Sequence, residues 1–305
     1  MRAVLHAGGA GWPKTLDELG PSQRVTRLHQ QGLPLPLDVP AIAIVGTRRP
    51  TVAGLEVAAL LARGLSQAGF AIVSGLAVGI DAAAHRAALD AGGHTVAVLG
   101  CGLAQRYPRR NLRLKEEVAE RGTILTEYDD DVTPMPFNFP QRNRIVAGLS
   151  TGVVVVEGSI KSGALVTARL ALEMNRSIYA IPGSLRNPMA VGPNHLIKTS
   201  QAALVTSFKD ICDDLAPSLV WGTAENGLSA SEEELALLSL LDDAPVAPDQ
   251  LLMHLEMTSG QLARLLAGLE VKGWARRSPS GYSISSAGAR VRGTVEGSRQ
   301  EPVDR

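Results

Sequence analysis

Glycine, hydroxyl and cation recur together at several points of this sequence, each directly after a short apolar run, and that grouping captures anions. The first is Gly46-Thr47-Arg48-Arg49-Pro50-Thr51, after Ala41–Val45. Glycine lets backbone N–H groups approach an anion and a helix start adds partial positive charge. Arg48 and Arg49 supply bidentate donors. The second is Ser74-Gly75-Leu76-Ala77-Val78-Gly79-Ile80-Asp81, where Gly75 and Gly79 flank a strand-to-helix turn beside the Ser74 hydroxyl and form a nest of N–H groups. The third runs from Glu157 to Ala164 and brings Lys161, Ser162 and Gly163 to a helix N-terminus. A fourth stretch, Pro134 to Arg144, differs in kind. It holds Phe137 and Phe139, two of the chain's four phenylalanines, beside Arg142, Asn143 and Arg144. Rings stack on unpaired bases, contributing about 1–3 kcal/mol each, while arginines neutralise phosphates. Arg106, Arg109, Arg110, Arg113 and Lys115 form a fifth basic cluster after Gly100-Cys101-Gly102.

Each has a plainer alternative. The first turn reads equally as a tight turn with solvated arginines, the third as a capped helix with an exposed lysine, the phenylalanines as plugs of a domain edge. The fifth cluster reads as a solvated helix face. Asp81 near a helix start is a cap before it is an acid, and His85 sits in an alanine-rich helix as a packed histidine. No nucleophile, base and orienting group occur together. The first turn is not GxGxxG and the third is not GxxxxGK[ST], so dinucleotide and Walker chemistry are disfavoured. Cys101 and Cys212 fit no metal-ligand spacing and read as reduced, buried thiols. The expectation is therefore binding without catalysis, metal or cofactor. One anion site suits a nucleotide; several on one rim suit a polyphosphate chain, each contact adding affinity and salt dependence.

The elements that must position these turns follow from periodicity. Apolar runs at 41–45, 70–73, 95–99, 123–126, 152–156, 177–181 and 203–205 alternate with helical stretches at 52–68, 80–91, 111–121, 142–149, 164–174 and 208–215. Strands separated by helices of that length imply right-handed crossovers and a parallel sheet, whose ligands lie beyond the strands' carboxyl ends. The fold class is α/β: an extended Rossmann-like parallel sheet in residues 41–216, after a lead-in at 1–40 without clear periodicity. A linker at 217–228 leads to a small winged-helix domain at 229–286, with helices at 232–241, 248–254 and 259–272 and a hairpin at 274–284. A polar tail occupies 287–305.

The formal charge is zero, from 30 Lys and Arg against 30 Asp and Glu, which excludes a uniformly basic nucleic-acid binder. Residues 1–227 carry 22 basic against 19 acidic side chains and 228–305 carry 8 against 11, so any phosphate-binding surface is local to the larger part. No window has the roughly 18 uncharged apolar residues of a membrane span, nor does the start read as a secretory signal; cytoplasmic residence is expected.

These residues resemble the DNA-processing protein A family (DprA, also called Smf). The resemblance rests on Ala43-Ile44-Val45-Gly46-Thr47-Arg48-Arg49-Pro50-Thr51, on Ser74 to His85, on Phe139-Pro140-Gln141-Arg142-Asn143-Arg144 to Ser150, on Val156-Glu157, on Lys161 to Ala168 and on Ile181-Pro182-Gly183. It implies binding of single-stranded DNA, homodimerisation, and loading of RecA recombinase onto incoming strands in natural transformation, with single-strand-binding protein as a further partner. Carried over, the pocket would use Arg48, Ser74, Gly75, Phe139, Arg142, Arg144, Lys161, Ser162 and Gly163. Many members carry an N-terminal helical SAM-like domain, for which 40 lead-in residues leave no room. Ala164 replaces a frequent serine, and Gly192-Pro193-Asn194 and Thr199-Ser200 replace the usual Gly-Thr-Asn and Asp-Gly. Two rivals remain: a phosphoribohydrolase-like enzyme, although Glu157–Leu165 lacks the catalytic glutamate of that loop, and a transcriptional regulator reading duplex DNA with its winged helix. Of the latter's recognition helix, Arg264 and Lys272 are the basic residues, with Arg276 and Arg277 in the wing.

Overall fold

The computed structural model describes residues 2–215, 231–242, 244–255, 257–271, 274–278 and 281–285. The chain divides into two compact units, Met1–Gly222 and Thr223–Arg305. The expected linker at 217–228 and tail at 287–305 lie outside the described residues.

The larger unit is built on one nine-stranded sheet. Its strands are β1 (Arg2–His6), β2 (Arg27–Gly32), β3 (Ala41–Val45), β4 (Ala71–Ser74), β5 (Thr95–Val98), β6 (Thr123–Thr126), β7 (Gly152–Val155), β8 (Ser177–Ala180) and β9 (Ala203–Leu204). Between them run α1 (Val52–Gln67), α2 (Ile80–Asp90), α3 (Leu112–Arg121), α4 (Asn138–Gly148), α5 (Gly163–Glu173), α6 (Val191–Lys198) and, after β9, α7 (Phe208–Leu215). The order is β1-β2-β6-β5-β4-β3-β7-β8-β9, parallel from β6 to β9. The central strands are continuous apolar runs because helices cover both faces. Alternate residues divide accordingly: Ala43, Val45, Val153 and Val155 pack into one core with α4 and α5, while Ile42, Ile44, Val154 and Val156 pack into another with α1, α2 and α7.

Residues 1–40, expected as a lead-in packed on the domain edge, form that edge as strands. β1 and β2 form an antiparallel pair that joins β6 and extends the sheet. Their sequence hides this, because β2 (RLHQQG) buries Leu28, Gln30 and Gly32 in alternation and only the first carries an apolar side chain; Gln30 donates to the Leu33 carbonyl. Between the two strands, Trp12, Leu16 and Leu19 enter the core, and Leu16 lies where a Cβ on Gly148 of α4 would be 2.7 Å away. Two helices also differ from expectation. α4 starts four residues early, at Asn138, and α6 forms over Val191–Lys198, where no helix is expected. Pro140 and Pro193 stand in their first turns, where a missing N–H costs nothing.

The smaller unit contains α8 (Glu232–Leu240), α9 (Pro248–Leu252), α10 (Ser259–Val271) and the hairpin β10 (Ala275–Ser278) and β11 (Gly281–Ile284). Ser231 caps α8 reciprocally with Glu234, at 3.2 and 3.0 Å. Leu237, Leu238, Leu241, Leu251, Leu262, Leu266, Leu269, Trp274 and Ile284 form its core. Three helices and a hairpin make the expected winged helix.

Candidate nucleic-acid interface

β3 and β7 are neighbours whose following helices leave in opposite directions, so their carboxyl ends open the crevice of a doubly wound sheet. Thr47 N donates to the Glu157 carbonyl at 2.7 Å, binding the two outgoing loops together. The Glu157 carboxylate, buried, accepts from Thr51 N (2.9 Å), Thr51 Oγ1 (2.7 Å) and Asn187 Nδ2 (2.8 Å). Thr51 Oγ1 in turn accepts from Gly54 N at 3.0 Å and caps α1. The backbone donors of the first turn are thus largely engaged within the fold, and its anion-binding capacity resides in Arg48 and Arg49, both exposed. Gly79 (φ +91°) holds α2 beneath this turn; a Cβ there would run into the Thr47 carbonyl.

Gly46, Arg48, Arg49, Gly75, Phe139, Arg142, Asn143, Ser162 and Gly163 line one cavity of about 730 Å³ at these strand ends. Arg48 Cζ stands 5.4 Å from the centroid of Phe139, within cation–π range. Phe139 is half-buried on the first turn of α4, its ring over Gly100, where a Cβ would come within 2.9 Å of it. Phe137 is 61% exposed. Lys161 is exposed beside Ser162, whose side chain makes no capping bond to α5; the first N–H groups of that helix lack an intrahelical partner, and Ser162 and Gly163 line the cavity at that end. Asn143 Nδ2 donates to the Gly163 carbonyl at 3.2 Å and ties α4 to this turn.

Several expected residues are engaged within the fold, Arg142 of the cavity wall among them. Ser74 is fully buried and donates to the Ile44 carbonyl at 2.7 Å, clamping β4 to β3. Arg144 is held by Glu127 through two 2.6 Å bonds and donates to the Gln23 carbonyl at 2.8 Å. It secures α4 to the lead-in segment and does not line the cavity. Arg142 is buried; its Nη1 donates to the carbonyls of Gly75 and Val98, and its guanidinium leaves no room for a Cβ at Gly75. Gly79 serves packing, as above.

The second N–H nest already has its anion. Asp81 accepts from Gly75 N at 3.1 Å and Ala77 N at 3.3 Å. Burial pushes its carboxyl pKa up, opposed by Arg142, by those N–H groups and by Arg48. Burial likewise lowers the pKa of Arg142, with Asp81 opposing. One turn on, His85 is fully buried and its pKa falls to about 3, through burial first and Arg142 second. Thr95 Oγ1 donates to the Ile72 carbonyl at 2.9 Å, so at 2.7 Å it accepts from His85 Nδ1–H, leaving Nε2 as a bare lone pair. His85 is the packed histidine expected of it.

The fifth cluster divides. Arg113 is exposed and pairs with Glu117 at 3.4 Å, on a solvated helix face. Lys115 is buried. Arg109 and Arg110 line a second cavity of about 260 Å³ that shares Arg48, Tyr107, Phe139 and Arg142 with the first and is continuous with it. Tyr107 and Phe139 have ring centroids 5.4 Å apart, at 35°. The sequence signal for these residues was their position after a Gly-Cys-Gly turn at the end of β5. Among the described residues no group of three or more His, Cys, Asp or Glu could hold a metal ion, and no helix is long and apolar enough to cross a membrane.

Residues 3–216 match the family model of DNA recombination-mediator protein A, and residues 223–281 match that of the DprA winged helix domain. The chain is 39% identical to protein Smf of Escherichia coli over 262 residues, which cover 83% of this chain and 70% of that one. It is 45% identical to DNA processing protein DprA of Bacillus subtilis over 174 residues, covering 57% of this chain and 58% of the relative. The matched region thus spans well under two thirds of that second relative. Among solved structures, DNA processing protein A of Streptococcus pneumoniae superposes with a TM-score of 0.66 at 39% identity, covering 70% of this chain and 74% of that one. The protein of the same name from Helicobacter pylori, solved for its single-stranded DNA binding mode, gives 0.63 at 33% identity, covering 70% and 95%.

Proposed function

The chain belongs to the DNA recombination-mediator protein A family, and from that premise we propose that it binds single-stranded DNA along the strand-end rim and catalyses no reaction. The observation that carries this reading is the meeting of Arg48, Phe139, Ser162 and Gly163 around one cavity, with the Arg48 guanidinium over the Phe139 ring. Duplex DNA hides the faces of its bases; a single strand offers a face to Phe139 and phosphates to Arg48, Lys161 and the open start of α5. A phosphoribohydrolase is disfavoured because the carboxylate of the third turn, Glu157, is occupied in joining loops.

In this reading the protein shields incoming strands in the cytoplasm during natural transformation, acts as a homodimer, and loads RecA recombinase in competition with single-strand-binding protein. The relatives named DNA processing protein and the single-strand binding described for the Helicobacter pylori protein support it.

The test is an anisotropy titration of a labelled oligothymidylate and a matched duplex at two salt concentrations. The single strand should bind tighter, and Arg48→Ala and Lys161→Ala should each weaken binding and reduce the log–log salt slope by about 0.7. Wild-type affinity and slope in both variants would overturn the assignment. Faster RecA nucleation on strands coated with single-strand-binding protein checks the loading role.

A further inference from the structure

The segment between β5 and α3 lies beside the rim, and its arginines stand outside the turns that follow β3 and β7. Arg109 and Arg110 are exposed, yet they line the same 260 Å³ cavity as Tyr107, Phe139 and Arg48. Two features show that this segment is shaped rather than slack. Lys115, 8% exposed as a residue, reaches back from α3, and its ammonium donates to the Leu103 carbonyl at 2.7 Å and the Gln105 carbonyl at 2.8 Å. Gln105 Nε2 donates to the Asp130 carbonyl at 2.8 Å. A buried ammonium whose described bonds go to carbonyls is costly unless those carbonyls are held in place, so the loop and Lys115 fix one another.

We propose that this loop is a second nucleotide subsite, continuous with the rim: Tyr107, packed at a tilt against Phe139, offers its free side to one unstacked base, Arg109 and Arg110 take the phosphates beside it, and Lys115 is the positioning residue that holds the loop in shape. The inference rests on the single-strand reading and extends the strand's path from the β3–β7 crevice across the end of β5. The paired guanidinium groups at the cavity mouth are free of ion pairs among the described residues, whereas Arg113 has a carboxylate partner. A nucleobase needs an apolar, aromatic slot and its phosphates need cations at the rim, and here both occur on adjoining residues.

The experiment is a length series of oligothymidylates, titrated at several salt concentrations against the full chain and six variants. Arg109→Ala/Arg110→Ala should lower the salt slope by about 1.4, from two phosphate contacts at about 0.7 each on a single strand. It should also lose the affinity gained by the last nucleotides of the series, with an unchanged unfolding midpoint because both side chains are exposed. Tyr107→Ala should reduce, by the share of one base, the affinity difference between an intact strand and one with abasic sites spaced along it, the remainder belonging to Phe139, while Tyr107→Phe keeps the full difference. Lys115→Met should shift the length dependence as the double variant does, and Lys115→Arg should restore part of it. A double variant with wild-type slope and length dependence overturns the subsite, and if Arg48→Ala still weakens binding the rim reading survives. A wild-type chain that binds no oligonucleotide at all overturns both.

Discussion

The turns after β4 and β7 are made from the same parts, a strand end, glycines, a serine and a helix start, and they end in opposite states. After β4 the chain supplies its own anion: Asp81 fills the nest of Gly75 and Ala77 N–H groups, and Arg142 lies against the Gly75 and Val98 carbonyls. After β7, among the described residues, no carboxylate stands in the first turn of α5, its N-cap side chain makes no capping bond, and Lys161 and Gly163 are exposed. The Glu157 carboxylate, close in sequence, is turned the other way onto Thr51 and Asn187. A glycine turn before a helix is therefore an anion site only where the fold has not already answered it. Within one sheet the first arrangement builds the wall and the second leaves the opening.

The closed turn should show itself as structure. Arg142→Ala removes the buried cation that bonds two carbonyls and offsets Asp81, so it should destabilise the protein by about 3–5 kcal/mol, the cost of breaking a buried charged network from one side. Urea unfolding measures this, and loss of strand binding should track loss of folded protein. A variant of wild-type stability would mean that Arg142 is a binding residue after all. A smaller effect comes from His85, one turn beyond Asp81. Its folded pKa of about 3 lies below the ordinary 6.5, so between these values the unfolded chain takes up a proton that the folded one refuses. Its contribution to stability is full above pH 6.5 and is lost as pH falls towards 3, by at most about 1.36 kcal/mol per pH unit. Asp81, with its raised pKa, acts in the opposite sense near its own titration. His85→Gln should flatten the stability profile between pH 6.5 and 5; an unchanged slope would remove His85 from the account.

Much of this was legible in the residues. The strand runs from AIAIV onward mark a buried parallel sheet because a strand covered on both faces has no need to alternate, and such a sheet dictates which loops bear ligands. Arg48, Phe139, Ser162 and Gly163 could be grouped for that reason alone. The direction of a side chain was not legible. Arg142 and Arg144 sit two apart beside Phe139, yet one turns inward to carbonyls and the other to Glu127, because α4 carries them onto different faces. Ser74 could not be told from a rim serine, since its acceptor, the Ile44 carbonyl, belongs to a neighbouring strand. The two N-terminal strands were hidden by polar residues such as Gln30 of β2, whose burial depends on a side-chain hydrogen bond rather than apolarity.

The smallest expected effect sharpens the comparison most, because it converts one state into the other. A Cβ at Gly163 would meet nothing closer than Asn143 Nδ2 at 3.9 Å, so a side chain fits there. Gly163→Asp puts a carboxylate on the first residue of α5, as Asp81 stands in the first turn of α2. An acid in a first turn stabilises a helix by about 0.3–1 kcal/mol through the aligned peptide dipoles, so stability should hold or rise slightly. Affinity for oligothymidylate should fall severalfold, since the new charge occupies the donors that a phosphate would use and repels its neighbours. Gly163→Asn, matched in shape but neutral, should lose less. Equal losses in the two variants would mean that space rather than charge governs the turn; no loss in either would mean that the start of α5 takes no phosphate.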